Sequence, residues 1–147
     1  MRDQSDAVRQ RLESLASEMQ RELAGVADIE RYEPHWVELQ PRNERAIGVV
    51  WFDTGDELQI QTLGGGSGGR WELGRDENDA AFVEDAVRAV VAGRVLEVFG
   101  KKRSAVTLTL VDGSTATETG YGVGSGCVPS FGWRRRGRSV QYEPYHR

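Results

Sequence analysis

The chain has 147 residues, 38% of them apolar and 29% charged, with a net charge of −4 at pH 7. That length suits one domain, which at this size buries roughly 68–70% of its unfolded surface, and the composition is that of a folded, well-solvated protein. The negative total argues against a general nucleic-acid binder, yet the charge is split: residues 1–100 carry a net of −9 and residues 101–147 a net of +5. Opposite fields in one chain either dock on each other or meet a ligand.

A single cysteine, Cys127, excludes an intramolecular disulfide and fits a reducing compartment. The start, Met1-Arg2-Asp3-Gln4-Ser5-Asp6, lacks the apolar core of a signal peptide, and no apolar run reaches spanning length. The expectation is a cytoplasmic protein with no membrane contact. Arg outnumbers Lys 17 to 2, which suggests a GC-rich, bacterial source.

In chain order, residues 5–24 predict a helix, because Val8, Leu12, Leu15, Met19 and Leu23 recur at three- and four-residue spacing and Gly25 supplies a stop. The apolar stripe caps the domain core or forms a homodimer seam of short coiled-coil type. From Ile29 the period shortens. Val37 and Leu39 alternate with polar neighbours up to Pro41, and 47–52 is apolar on both faces, as a central strand would be. Asp53-Thr54-Gly55-Asp56 is turn chemistry and leads to a strand at Leu58 and Ile60. Gly64-Gly65-Gly66-Ser67-Gly68-Gly69 reads as a flexible connection to a short strand around Trp71 and Leu73.

A second helix follows, capped by Asp76 or Asn78, with Phe82, Val83, Ala86, Val87, Val90 and Val91 on its apolar face and Gly93 at its end. Strands are expected at 96–99, 106–110 and 115–119, the last two joined at Asp112-Gly113. The resulting fold class is α+β: a single domain over 1–147 in the order α-β-β-β-β-α-β-β-β. An antiparallel sheet of about six strands carries two helices on one face and ends in an irregular C-terminal tail. In element order alone the layout is similar to that of type III secretion chaperones and related small bacterial domains; no motif carries the likeness.

Catalytic motifs are absent. The glycines of 64–69 precede Arg70-Trp71 rather than the Lys-Ser/Thr of a phosphate loop, and Gly120-Tyr121-Gly122-Val123-Gly124-Ser125-Gly126-Cys127 satisfies no dinucleotide fingerprint. Cys127 beside Val128 and Pro129 reads as a packing residue; thiol chemistry would need a cation or histidine beside it. His35 and His146 stand far apart, so neither a metal site nor a cofactor is expected.

Two sets of residues remain as binding candidates. The acids Asp53, Asp56, Glu57, Asp76, Glu77 and Asp79 would present a surface to a basic protein partner. The stretch 120–147, Gly-rich and then Arg- and aromatic-rich, is expected to pack on the domain and offers Trp133, Arg134, Arg135, Arg136, Arg138, Tyr142 and Tyr145, with Val140 among them. These residues fold back on the acidic half, bind protein, or bind single-stranded nucleic acid through phosphates and stacked bases. The favoured expectation is a non-enzymatic protein-binding module of immunity-protein or chaperone/adaptor type, with the nucleic-acid reading as its alternative.

Overall fold

The computed structural model describes residues 3–32, 35–122 and 132–146. Ser125, Cys127 and Phe131, and with them the thiol reading, lie outside the described residues. Helix α1 (Asp3–Glu22) buries Val8, Leu12, Leu15 and Met19, with Leu23 just beyond it. The stripe therefore caps the protein's own core.

Five strands follow in a meander: β1 (Ala27–Tyr32), β2 (Trp36–Pro41), β3 (Gly48–Asp53), β4 (Leu58–Leu63) and β5 (Arg70–Leu73), each antiparallel to the next. Helix α2 (Glu77–Val91) starts on a reciprocal capping box. The Asp79 N–H donates to the Asp76 carboxylate at 2.9 Å, and the Asp76 N–H donates to the Asp79 carboxylate at 3.0 Å. A second sheet holds β6 (Val95–Gly100), β7 (Arg103–Thr109), β8 (Thr115–Tyr121) and β9 (Arg138–Gln141) in the order β8-β7-β6-β9, with the single-turn helix α3 (Trp133–Arg136) leading into β9.

The α+β class holds, but the single sheet of about six strands is corrected to two antiparallel sheets of five and four, and two helices become three among the described residues. The cause lies at β5, which is four residues long and runs directly into α2, so the chain restarts on a new sheet. Within the described part of the tail, 132–146, a strand stands where an irregular course was expected: β9 pairs with β6 from Leu96↔Gln141 to Phe99↔Arg138. A pattern of one half-buried apolar residue, Val140, gives no strand signal; backbone pairing makes the strand.

Helix α2 packs against β3, β4 and β7 and so touches both sheets. Its Ala80, Val83, Ala86, Val87, Ala89 and Val90 are buried in one cluster with Trp51, Leu58, Ile60, Val106 and Leu108. Valine is a poor helix former, so this burial, rather than propensity, holds the helix. No described helix is long and apolar enough to cross a membrane.

The Gly64–Gly69 connection is not a free loop. Gly66 N–H donates to the Glu97 carboxylate at 2.8 Å, Gly68 N–H to the Ser104 hydroxyl at 2.7 Å, and the Ser67 hydroxyl to the Gly120 carbonyl at 2.9 Å. A loop between two strands of the first sheet is thus fastened to β6, β7 and β8 of the second. Glycine is required by contact: a Cβ on Gly120 would lie 1.7 Å from the Ser67 carbonyl oxygen, and one on Gly66 2.7 Å from the Ser104 hydroxyl.

Candidate binding surfaces

Alternation along a strand sends successive side chains to opposite faces. In the five-stranded sheet the inner face carries Val37, Leu39, Val49, Trp51, Leu58 and Ile60, all buried. The register then sets Tyr32, Trp36, Phe52, Gln59 and Glu72 in one row across the outer face. Trp36 stacks on Phe52 with ring centroids 4.7 Å apart and planes 16° apart, and Tyr32 meets Trp36 edge-on at 6.3 Å. Tyr32 and Trp36 keep 46% and 41% of their surface exposed.

The next row opens with Glu30 directly opposite Glu38. Like charges across a strand pair repel, and among the described residues no ion pair joins either one to a cation. Their local partners are polar: the Tyr32 hydroxyl donates to Glu30, and the Gln40 amide donates to Glu38 at 2.7 Å. Glu30 holds the Tyr32 phenol above its ordinary pKa, because the carboxylate accepts the phenolic proton's hydrogen bond and opposes a phenolate. Sequence reasoning missed this surface, since only cross-strand register brings Tyr32, Trp36 and Phe52 together.

The six acids proposed from sequence are divided. Asp53 is buried, with 1% of its side chain exposed, and takes two hydrogen bonds of 2.7 Å from Arg75. Gly55 N–H adds a third at 2.8 Å, and Arg9 stands 3.9 Å away. The Arg75 hydrogen bonds hold the Asp53 carboxyl below its ordinary range against the opposing effect of burial. This residue braces the fold and is not on the surface. Asp76 and Asp79 close the capping box. Asp56 and Glu77 are exposed, and Glu57 accepts from Gln59 at 2.7 Å. The Asp53–Arg75 pair and the 3.2 Å bond from Leu58 N–H to Gly74 bring the 53–57 turn and the 75–79 junction to the same end of the sheet.

The tail residues are divided too. Tyr145 is 2% exposed and donates to the Ile47 carbonyl at 2.8 Å, while the half-buried Tyr142 donates to Glu97 at 2.7 Å. Both are packing anchors rather than contact residues. Burial raises the pKa of each phenol, and Glu97 raises that of Tyr142 further.

Trp133, Arg134, Arg135, Arg136 and Arg138 gather at one end of the second sheet, beside the β6–β7 turn with Lys101 and Lys102. Trp133 lies on bare backbone, since a Cβ on Gly100 would come 2.6 Å from its ring. The Arg103 guanidinium stands 5.4 Å from the Tyr121 ring centroid and 5.8 Å from that of Trp133, Arg134 stands 5.7 Å from Trp133, and Arg138 stands 4.8 Å from Phe99.

Comparison with protein-family models, curated proteins and solved structures finds no match. Function is therefore argued from the surfaces themselves. Among the described residues no group of three or more His, Cys, Asp or Glu is placed to hold a metal ion, and no buried side-chain nitrogen or oxygen lacks a hydrogen-bond partner. An open cleft between Arg42, Asn43, Arg45 and Glu143 has its cations already paired, Arg42 with Asp28 at 3.1 Å and Arg45 with Glu143 at 3.4 Å.

Proposed function

We propose that this protein is a non-enzymatic protein-binding module, of immunity-protein or adaptor type, that offers the outer face of its five-stranded sheet to a basic partner. The observation that carries the reading is the aromatic row Tyr32–Trp36–Phe52, with Tyr32 and Trp36 exposed, beside the facing carboxylates Glu30 and Glu38. Tyrosine and tryptophan are enriched among the residues that dominate interface energetics. Two carboxylates without a cation of their own favour a partner that brings one, and they steer its approach. Register on a rigid sheet fixes both features before the partner arrives, so little ordering entropy remains to be lost on binding. The single cysteine supports a reducing, cytoplasmic setting.

The test is affinity capture from the native host with three baits: wild type, Trp36→Ala and the Glu30→Gln/Glu38→Gln pair, each checked for native circular dichroism. The expected result is a basic protein held by wild type, lost from Trp36→Ala, and held by the double variant with weaker salt dependence. A partner retained equally by all three baits would remove this face from consideration.

A further inference from the structure

Among the described residues the ion pairs do not neutralise the basic end of the second sheet. In residues 1–100 the arginines are largely matched: Arg11 with Glu84, Arg31 with Glu13, Arg42 with Asp28, Arg45 with Glu143, Arg70 with Glu72, Arg75 with Asp53, and Arg88 with Glu18. At the end of the second sheet, Lys101, Lys102, Arg134, Arg135 and Arg138 form no ion pair among the described residues, and Arg134 bonds only the Thr119 hydroxyl, at 2.6 Å. The segment 123–131 contains no acidic residue in its sequence. The nearest carboxylates of this sheet, Glu97 and Glu118, share a register row with the buried Val106 and so belong to the opposite face from Arg103 and Tyr121.

Aromatic rings stand among these cations. Tyr121, 58% exposed, Arg103, Trp133 and Arg134 form an alternating ladder of ring and guanidinium. Tyr121 is its open end. We propose that this end of the second sheet binds single-stranded nucleic acid, with backbone phosphates on Lys101, Lys102, Arg134 and Arg135 and a base stacked on Tyr121; Arg138, opposite Phe99, lies on the other face. A cationic surface that tracks phosphates, with a ring on which a base stacks, is how single strands are held without sequence preference. A duplex offers no unstacked base to Tyr121, and among the described residues the one helix at this end, α3, is a single turn of four residues and too short to lie along a major groove. The surface is separate from the aromatic face proposed for a protein partner, so either reading stands without the other.

The test is fluorescence anisotropy of a labelled oligothymidylate over a salt series, beside a duplex of equal length and a polyglutamate competitor. The expected result is preference for the single strand, with log affinity falling against log salt by about 0.7 for each phosphate neutralised. The exposed pair Lys101→Ala/Arg135→Ala lowers that slope by about 1.4. Tyr121→Ala weakens binding about five-fold or more while leaving the slope unchanged. Circular dichroism confirms that each variant is folded. Absence of binding at low salt overturns the proposal. So does equal affinity for duplex with no effect of Tyr121→Ala, and so does displacement by polyglutamate at matched charge, which would identify an acidic protein as the occupant.

Discussion

The Tyr145 phenol donates to the main-chain carbonyl of Ile47 at 2.8 Å, across 98 positions of sequence. Its own N–H donates to the Val91 carbonyl at 2.9 Å, so one residue near the C-terminus ties the approach to β3 to the end of α2. Tyr145→Ala should cost about 3–5 kcal/mol, the range for truncating a large buried aromatic, whereas Tyr145→Phe should cost only about 1–3 kcal/mol, from the carbonyl left unpaired. Urea denaturation separates the two. Equal, small losses would mean the tail is not part of the core.

The Asp53–Arg75 pair makes a prediction about acid. Asp53 has its carboxyl pKa lowered in the fold, so its contribution is complete above the unfolded carboxylate value of about 3.9 and fades as pH falls below that toward the folded value. Asp53→Asn removes the buried carboxylate that takes two hydrogen bonds from Arg75 and should cost about 3–5 kcal/mol at pH 7. The loss should shrink below about pH 4, where wild type protonates the same carboxyl. Melting temperatures of wild type and variant, followed from pH 7 down to the acid limb, should therefore converge. A gap that stays constant with pH would show that the charge of Asp53 is immaterial.

Glu97 is fully buried and held from two sides, by the Tyr142 hydroxyl at 2.7 Å and the Gly66 N–H at 2.8 Å. Tyr142→Phe removes one of the two and should cost about 1–3 kcal/mol. Tyr142 is also sensitive to base: its raised pKa means the contribution is complete below the unfolded phenol value of about 10 and is lost as pH climbs beyond it. Phenolate absorbance during alkaline titration should show two tyrosines, 142 and 145, ionising only with unfolding. Their ionisation together with the exposed tyrosines would contradict the buried placement.

Gly120→Ala is the sharpest test of the junction between the sheets. Its Cβ would meet the Ser67 carbonyl at 1.7 Å, a backbone atom of a fastened loop, so a loss of about 1–3 kcal/mol or more is expected. Ser67→Ala removes only the hydrogen bond to Gly120 and should cost about 1 kcal/mol. A native melting temperature for Gly120→Ala would mean the loop stands off from β8.

Elements with their own periodicity were legible in the sequence. The stripe from Val8 to Leu23, the cap at Asp76, and the turns at Gly55 and Gly113, both with positive φ, appear where the residue pattern placed them. What failed was whatever depends on a distant partner. Ala27-Asp28-Ile29-Glu30-Arg31-Tyr32 is mostly polar and becomes a strand because β2 lies beside it. The glycines at 64–69 look flexible in isolation and are confined by Glu97, Ser104 and Gly120, residues 31 or more positions away. Among the candidate site residues, Asp53 and Tyr145 have polar groups that suit a surface, and only the fold shows Arg75 and Ile47 waiting for them.

The pairing of β9 with β6 bears on how the molecule is made. Until Arg138–Gln141 emerges, β6 has one bare edge, and its outer face carries Leu96 and Val98 beside that edge. An unpaired strand edge with apolar neighbours is a template for joining other chains, and during synthesis it waits for a segment made well after it. Any version of the chain that stops short of Arg138 would keep that edge open, and its soluble yield would fall with expression temperature and concentration for a reason unrelated to either binding surface.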